Sequence, residues 1–209
     1  MTFPPCDDTP LGLYPIVDRA HKLEPLYRMG ITTAQLRVKD LESAALEAEA
    51  KEAIALSRAF NARFFLNDHW PLAIRLGAYG VHLGQEDIRQ ADLTVIHAAG
   101  LRLGISSHTP GEIAIAQGFK PSYLAIGPIF EPIAKKMAYP PVGIDNLKRW
   151  SASVPYPIVA IGGITQANIT EVIGSGAASG IAMISAVLDE RGAISETKTR
   201  MLLDAIEGA

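Results

Sequence analysis

A repeat of pattern rather than of residues restricts this chain to few folds. Eight short apolar runs recur along its 209 residues: LGLYPIV (11–17), TTAQLRVK (32–39), RFFLND (63–68), YGVHLG (79–84), LRLGISS (101–107), YLAIGPIF (123–130), PIVAIGG (157–163) and GIAMISA (180–186). Each is bounded by Gly, Pro, Asn, Asp or Ser, the residues that punctuate strands. Few of the runs alternate strictly between apolar and polar. Unbroken apolar character belongs to strands covered on both faces, as in a parallel sheet.

Helical patterns fill the intervals. The clearest is LESAALEAEAKEAIALSRAF (41–60), rich in Ala, Leu and Glu. WPLAIRLG, DIRQADLTVIHAAG, TPGEIAIAQG, IDNLKRWSAS, TQANITEVIGSG and ETKTRMLLDAIEGA follow later runs, and His21 to Gly30 fills the first interval. Most end at Gly, the usual helix stop. This β/α alternation predicts a (β/α)8 TIM barrel of the α/β class, closed by right-handed crossovers. The rival is an open doubly wound sheet, but no G-x-G-x-x-G follows the first run, so its dinucleotide-binding form lacks its best signal. The expected organisation is one barrel over 11–209, preceded by an N-terminal arm (1–10) with no assigned role.

Composition narrows the function classes. The single cysteine, Cys6, excludes an internal disulfide framework or a Cys-based zinc site. Net charge is −3 without blocks of like charge, which argues against nucleic-acid binding. The opening MTFPPCDDTP lacks the basic and apolar regions of a secretory signal. The uncharged stretch between Trp150 and Thr170 is interrupted by prolines and a Gly-Gly pair, unlike a membrane helix. A soluble, cytoplasmic protein is expected.

Barrels of this type bind ligands where strands end and βα loops begin, so the run ends are the informative positions. Gln35, Arg37 and Lys39 are spaced by two and share one side of the second strand. Three long polar side chains there either reach the mouth or are buried at high cost. Asn67-Asp68 ends the third run, and His82 lies in the fourth, which continues into Gly84-Gln85-Glu86-Asp87. Ser106-Ser107-His108 ends the fifth, Gly162-Gly163 the seventh and Ile184-Ser185 the eighth. A long loop from Glu131 to Gly143, carrying Lys135 and Lys136, follows the sixth.

Taken singly, most of these have plainer explanations. Asn67-Asp68 suits a turn and cap, Glu86 and Asp87 suit a helix N-terminus, His82 suits a core histidine, and Gly162-Gly163 suits a tight turn with Thr165 as cap. Together they define a site. Asp68 and Asp87, on neighbouring strands, can share a hard cation such as Mg2+, which takes oxygen ligands and substrate phosphates. Arg37, Lys39 and Lys135 supply positive charge. The Gly-Gly turn and Ile184-Ser185 match the usual barrel phosphate site built from backbone N–H groups. One place for a metal-bound polyphosphate and another for a monophosphate imply two substrates and a phosphate-handling transferase or lyase.

The strings QLRVK (35–39), FFLNDHW (64–70), YGVHLGQEDI (79–88), LGISSHT (103–109), AIGPIF (125–130), VAIGGIT (159–165) and MISAV (183–187) resemble the thiamine phosphate synthase family, in order and over nearly the whole chain. That family joins a hydroxymethylpyrimidine diphosphate to a thiazole phosphate, giving thiamine phosphate and pyrophosphate. The resemblance implies that Gln35, Arg37, Lys39 and Asn67 hold the pyrimidine diphosphate and that His82 lies close to the pyrimidine. It implies Asp68 and Asp87 as Mg2+ ligands, Ser106 and Lys135 beside the diphosphate, and Gly163, Ile184 and Ser185 beside the thiazole phosphate. Arg37, Ser106 and Lys135 are the implied catalytic groups, acting on charge; no protein nucleophile is needed. The substrates are small molecules, and the resemblance implies a monomer or small homo-oligomer.

One departure stands out. The family's Thr-x-Thr-Lys pattern after the sixth strand reads Pro132-Ile133-Ala134-Lys135 here. Each lost hydrogen bond to a charged group costs about 1.5–3 kcal/mol, so weakened or altered thiazole phosphate binding is expected. The long loop is read as a lid that delivers Lys135. Two alternatives remain at this stage: a thiazole tautomerase of the same superfamily, with His108 as acid/base and no need of metal, and a non-catalytic phosphate-ligand-binding paralogue.

Overall fold

All eight runs form strands, each beginning within a residue of its expected start. A computed structural model describes residues 1–7, 9–131 and 140–208. The strands are β1 (Gly12–Val17), β2 (Thr33–Leu36), β3 (Arg63–Asn67), β4 (Gly80–Leu83), β5 (Arg102–Ser107), β6 (Tyr123–Ile126), β7 (Ile158–Ile161) and β8 (Gly180–Met183). They pair in parallel in sequence order and close through β1 and β8, with Tyr14 opposite Ala182. The helices are α1 (Leu23–Arg28), α2 (Ser43–Ala59), α3 (Trp70–Leu76), α4 (Asp87–Gln90), α5 (Leu93–Ala98), α6 (Pro110–Gly118), α7 (Gly143–Ser151), α8 (Ile169–Gly174) and α9 (Glu196–Glu207). This is the (β/α)8 barrel that the pattern predicts.

The weak alternation of the runs has a structural cause. One set of strand positions, including Leu13, Leu36, Phe64, Leu66, Val81 and Leu103, packs outward under the helices. The other set, including Tyr14, Ile16, Phe65, Tyr123, Val159 and Ala182, fills the barrel interior. Neither face meets water, so both parities are apolar. Three large rings fit inside because two strands carry glycine there. A Cβ on Gly80 would lie 2.5 Å from Phe65 Cε1, and one on Gly104 would lie 2.2 Å from Tyr123 Cζ.

Details of the boundaries differ from the sequence expectation. β2, β6 and β8 stop three or four residues early, so Arg37 and Lys39 lie beyond the strand rather than on it. The segment DIRQADLTVIHAAG is two helices, α4 and α5, because Asp92 caps a fresh start by accepting from the Thr94 and Val95 N–H groups at 3.0 and 3.1 Å. Before α8, Thr165 sits in a turn, its N–H donating to Asn168 Oδ1 at 2.7 Å, and the helix starts after Asn168.

The N-terminal arm is seated across the end of the barrel opposite the strand C-termini. Phe3 and Cys6 are buried there. The Phe3 N–H donates to the Lys120 carbonyl at 3.0 Å, and Ser122 Oγ donates to the Pro4 carbonyl at 2.6 Å. The Arg63 guanidinium gathers the Thr9 carbonyl and hydroxyl, the Pro10 carbonyl and the Thr32 hydroxyl at 2.7–3.0 Å. Burial pushes the Cys6 thiol up to about 11, so it is held protonated and inert. Among the described residues no helix is long and apolar enough to cross a membrane.

Candidate active site

Parallel strands put all eight C-terminal ends on one rim, and eight of the sequence-predicted residues meet there or just below it: Gln35, Arg37, Lys39, Asn67, Asp68, His82, Asp87 and Ser106. Gln35 is the deepest. It is buried inside the barrel, and its amide Nε2 donates to Tyr14 Oη at 3.3 Å, which offsets the cost of burying it. Arg37 and Lys39 follow β2 on the exposed rim, with Arg37 anchored by its N–H to the Val17 carbonyl at 2.8 Å. Asn67 is buried at the end of β3, in register with His82 on β4.

Asp68 takes φ +61°, the left-handed region that a carboxylate side chain tolerates better than most. Its N–H donates to the His82 carbonyl at 2.9 Å, tying the β3 loop to β4. In this conformation its carboxylate ion-pairs with Lys39 and meets the carboxyl of Asp87 at the start of α4. Burial first, and then the Asp68 charge, raise the Asp87 carboxyl above its ordinary value. Two carboxylates in contact disfavour joint ionisation unless a proton or a cation lies between them, so the pair suits a divalent ion. Among the described residues no larger group of His, Cys, Asp and Glu side chains gathers as a metal cluster. A cation here would therefore complete its shell with water and ligand oxygens, the habit of Mg2+.

Below the rim lies a polar chain that the sequence does not announce. Ser106 Oγ is 2.8 Å from His82 Nε2, and His82 Nδ1 is 2.7 Å from Tyr123 Oη. Tyr123 Oη is 2.9 Å from Tyr14 Oη, which accepts from Gln35. The His82 and Tyr123 rings also stack, 22° from parallel with centroids 5.7 Å apart. Burial pushes His82 down to about 4, so its imidazole is neutral, and burial likewise raises both phenols. Gln85 supports the same strand end by donating to the Ser106 carbonyl at 2.6 Å. Tyr14 and Tyr123 were missed as site residues because they sit in apolar runs. The available signal was parity: an inward-facing tyrosine in a dry barrel needs a partner for its hydroxyl.

The other side of the rim is built from backbone. Gly162 and Gly163 have φ of +93° and +68°, and a Cβ on Gly163 would lie 2.4 Å from the Phe130 carbonyl oxygen. Only glycine lets the β7 turn pass that close. Asn168 Nδ2 holds the Gly163 carbonyl at 3.0 Å. After β8, Ile184 and Ser185 open a short 3-10 turn and are both exposed, Ile184 by 51%. The Val142 and Gly143 N–H groups donate to the Pro128 and Ile129 carbonyls at 2.7 and 3.0 Å, pinning the two ends of the β6–α7 connection together. Lys135 and Lys136, with Pro132 and Ala134, lie outside the described residues. His108 is held at the start of α6 by Glu112, whose carboxylate accepts from its backbone N–H at 2.6 Å and lies 3.0 Å from Nδ1.

A family model described as thiamine monophosphate synthase matches residues 13–187. The chain is 47% identical over 199 residues to a thiamine-phosphate synthase of Photorhabdus laumondii, covering 95% of this chain and 91% of that one. It is 48% identical over 202 residues to a thiamine-phosphate synthase of Serratia proteamaculans, covering 95% and 92%. Among solved structures, a thiamine phosphate pyrophosphorylase of Pyrococcus furiosus superposes with a TM-score of 0.81 at 31% identity, covering 95% of this chain and 96% of that one. A phosphoribosylanthranilate isomerase of the same organism superposes at 0.72 with 13% identity, a likeness of fold alone.

Proposed function

The chain belongs to the thiamine monophosphate synthase family, and on that premise we propose that it joins a hydroxymethylpyrimidine diphosphate to a thiazole phosphate, releasing pyrophosphate and forming thiamine phosphate. The bond from the pyrimidine methylene carbon to the diphosphate oxygen breaks, and a bond from that carbon to the thiazole nitrogen forms. The observation that carries the reading is the contact between Asp68 and Asp87 at the rim, beside Lys39. A tautomerase acting on the thiazole phosphate alone has no use for a carboxylate pair suited to a divalent cation.

Asp68 and Asp87 are the residues that would hold Mg2+, whose charge, when bound, neutralises the departing diphosphate. Arg37, Lys39 and Lys135 add fixed positive charge around the same oxygens, and Ser106 donates a hydrogen bond to them. Gln35, Asn67 and His82 orient the pyrimidine over the barrel interior, where the dry aromatic floor excludes water from the electron-poor carbon. Gly163, Ile184 and Ser185 receive the thiazole phosphate through backbone N–H groups and the serine hydroxyl. Holding both rings in near-attack geometry is then the principal task left to the protein. The substrates are small soluble molecules, consistent with a cytoplasmic enzyme that works as a monomer or small homo-oligomer.

The test is direct. Purified protein is mixed with both substrates, with Mg2+ or with chelator, and thiamine phosphate and pyrophosphate are measured. Metal-dependent formation of both products in equal amounts is expected. Turnover of the thiazole phosphate alone, or tight ligand binding without product, would replace this function with the tautomerase or the binding protein.

A further inference from the structure

We propose that Tyr123, backed by Tyr14 and Gln35, is a positioning residue: it locks His82 in the Nε2–H tautomer and so leaves the Ser106 hydroxyl proton free for an anionic oxygen at the barrel mouth.

The direction follows from counting protons along the chain of contacts. Gln35 Nε2 can only donate, so Tyr14 Oη accepts from it, and among the described residues the buried Tyr14 proton has Tyr123 Oη as its one acceptor. Having accepted, Tyr123 sends its proton to His82 Nδ1 at 2.7 Å. A neutral imidazole has one N–H, which is then on Nε2 and donates to Ser106 Oγ at 2.8 Å. Among the described residues His82 is the hydrogen-bond partner of Ser106 Oγ, so the last proton of the relay, that of Ser106, points away from the protein chain. In the reverse direction the serine proton would be spent on His82, and a serine lone pair would face the ligand, the wrong sign for a phosphate oxygen.

The surroundings favour a relay that does not switch. Its inner members are buried among Phe65, Ala125, Val159 and Ala182, so an unpartnered hydroxyl there is costly and water is not at hand to replace one. Ring stacking on Tyr123 fixes the plane of the imidazole, and the side chain missing at Gly104 gives Tyr123 its place. Tyrosine rather than phenylalanine at the centre of this apolar layer is otherwise unexplained.

The role given to Ser106 rests on the reaction proposed above; the tautomer does not. The experiment therefore has two readouts on the full-length protein. Long-range 1H–15N NMR reports the His82 tautomer, and steady-state kinetics reports the rate. The wild type should show His82 protonated on Nε2. Tyr123→Phe keeps the ring but removes the donor to Nδ1. It should move His82 to a tautomer mixture and lower kcat about tenfold, with KM for the pyrimidine diphosphate changed less than about threefold. Tyr14→Phe keeps the Tyr123 proton but removes the group that directs it, so it should loosen the tautomer less than Tyr123→Phe does and lower kcat by a smaller factor. A wild-type His82 protonated on Nδ1 overturns the proposal without need of any variant, as does a Tyr123→Phe protein with unchanged tautomer and rate. An inactive wild type that carries the Nε2–H signature supports the relay and refutes the reaction instead.

Discussion

Replacing Gly104 by alanine adds one methyl group at the most crowded point of the barrel interior. The new carbon would lie 2.2 Å from Tyr123 Cζ, 2.3 Å from its oxygen and 2.4 Å from Cε1. No conformation of the methyl avoids this, so the ring must move. Tyr123 is fully buried and holds hydrogen bonds to His82 and Tyr14, which it loses as it moves. Overpacking costs about 1–3 kcal/mol, and two buried hydrogen bonds add about 1 kcal/mol each. The sum, about 3–5 kcal/mol, is a large part of the usual 5–15 kcal/mol of a folded domain. For a chain of this length each kcal/mol moves Tm by about 2–4 °C, so a fall of about 6–20 °C is expected. Gly118→Ala is the matched control. Nothing lies within 4 Å of its added carbon, at the end of α6, so it should be neutral or stabilising by up to about 0.5 kcal/mol. Thermal and urea denaturation of the two variants give the comparison. A Gly104→Ala protein within about 3 °C of wild type would refute the rigidity assigned to the Tyr123 ring.

Other outcomes follow from the same geometry. Because buried His82 resists protonation down to about 4 while its unfolded imidazole takes a proton near 6.5, its contribution is complete above that upper value and is lost as pH falls between the two. The ceiling is about 3 kcal/mol, and His82→Gln should flatten the stability profile in that window in urea titrations at several pH values. Asp87 has the opposite sign: its raised carboxyl favours the folded state as pH falls toward 3.8, a gain that Asp87→Asn abolishes. Mg2+ should raise the Tm of the wild type but not of Asp87→Asn; an unresponsive wild type would remove the carboxylate pair as a cation site. Arg63→Met should cost about 2–4 kcal/mol and expose residues 1–10 to protease, since one guanidinium holds Thr9, Pro10 and Thr32. Lys135→Ala should slow turnover far more than Lys136→Ala; equal effects would undo the role given to Lys135.

Much of the candidate site was legible in the residues because a barrel turns chain order into position. Once eight strands are recognised, every strand end is a point on one rim, and Asn67-Asp68, His82, Ser106 and Gly162-Gly163 fall on it without any contact being known. Parity puts Gln35 on one side of β2 but says nothing of its depth. Three polar side chains at spacing two looked equivalent, whereas β2 ends at Leu36 and leaves Gln35 inside and Arg37 and Lys39 on the rim. The split between α4 and α5 is invisible in the apolar pattern, because only the tertiary fold shows Asp92 capping a new helix instead of continuing the first.

Local propensity and pattern along the chain set the number and order of strands, the two apolar faces, the family and the polar residues at the strand ends. Which of those groups touch is a matter of how the barrel closes. Tyr14 and Tyr123 are 109 residues apart, and their hydroxyls meet only because barrel closure brings β1 and β6 to one interior. Asp68 reaches Asp87 only through a left-handed backbone turn, and the N-terminal arm gains its place only from Arg63 and Ser122 at the barrel's far end. A hydrogen bond or a shared charge depends on separations of a few ångströms, and pattern along the chain carries no such distance until the sheet has closed.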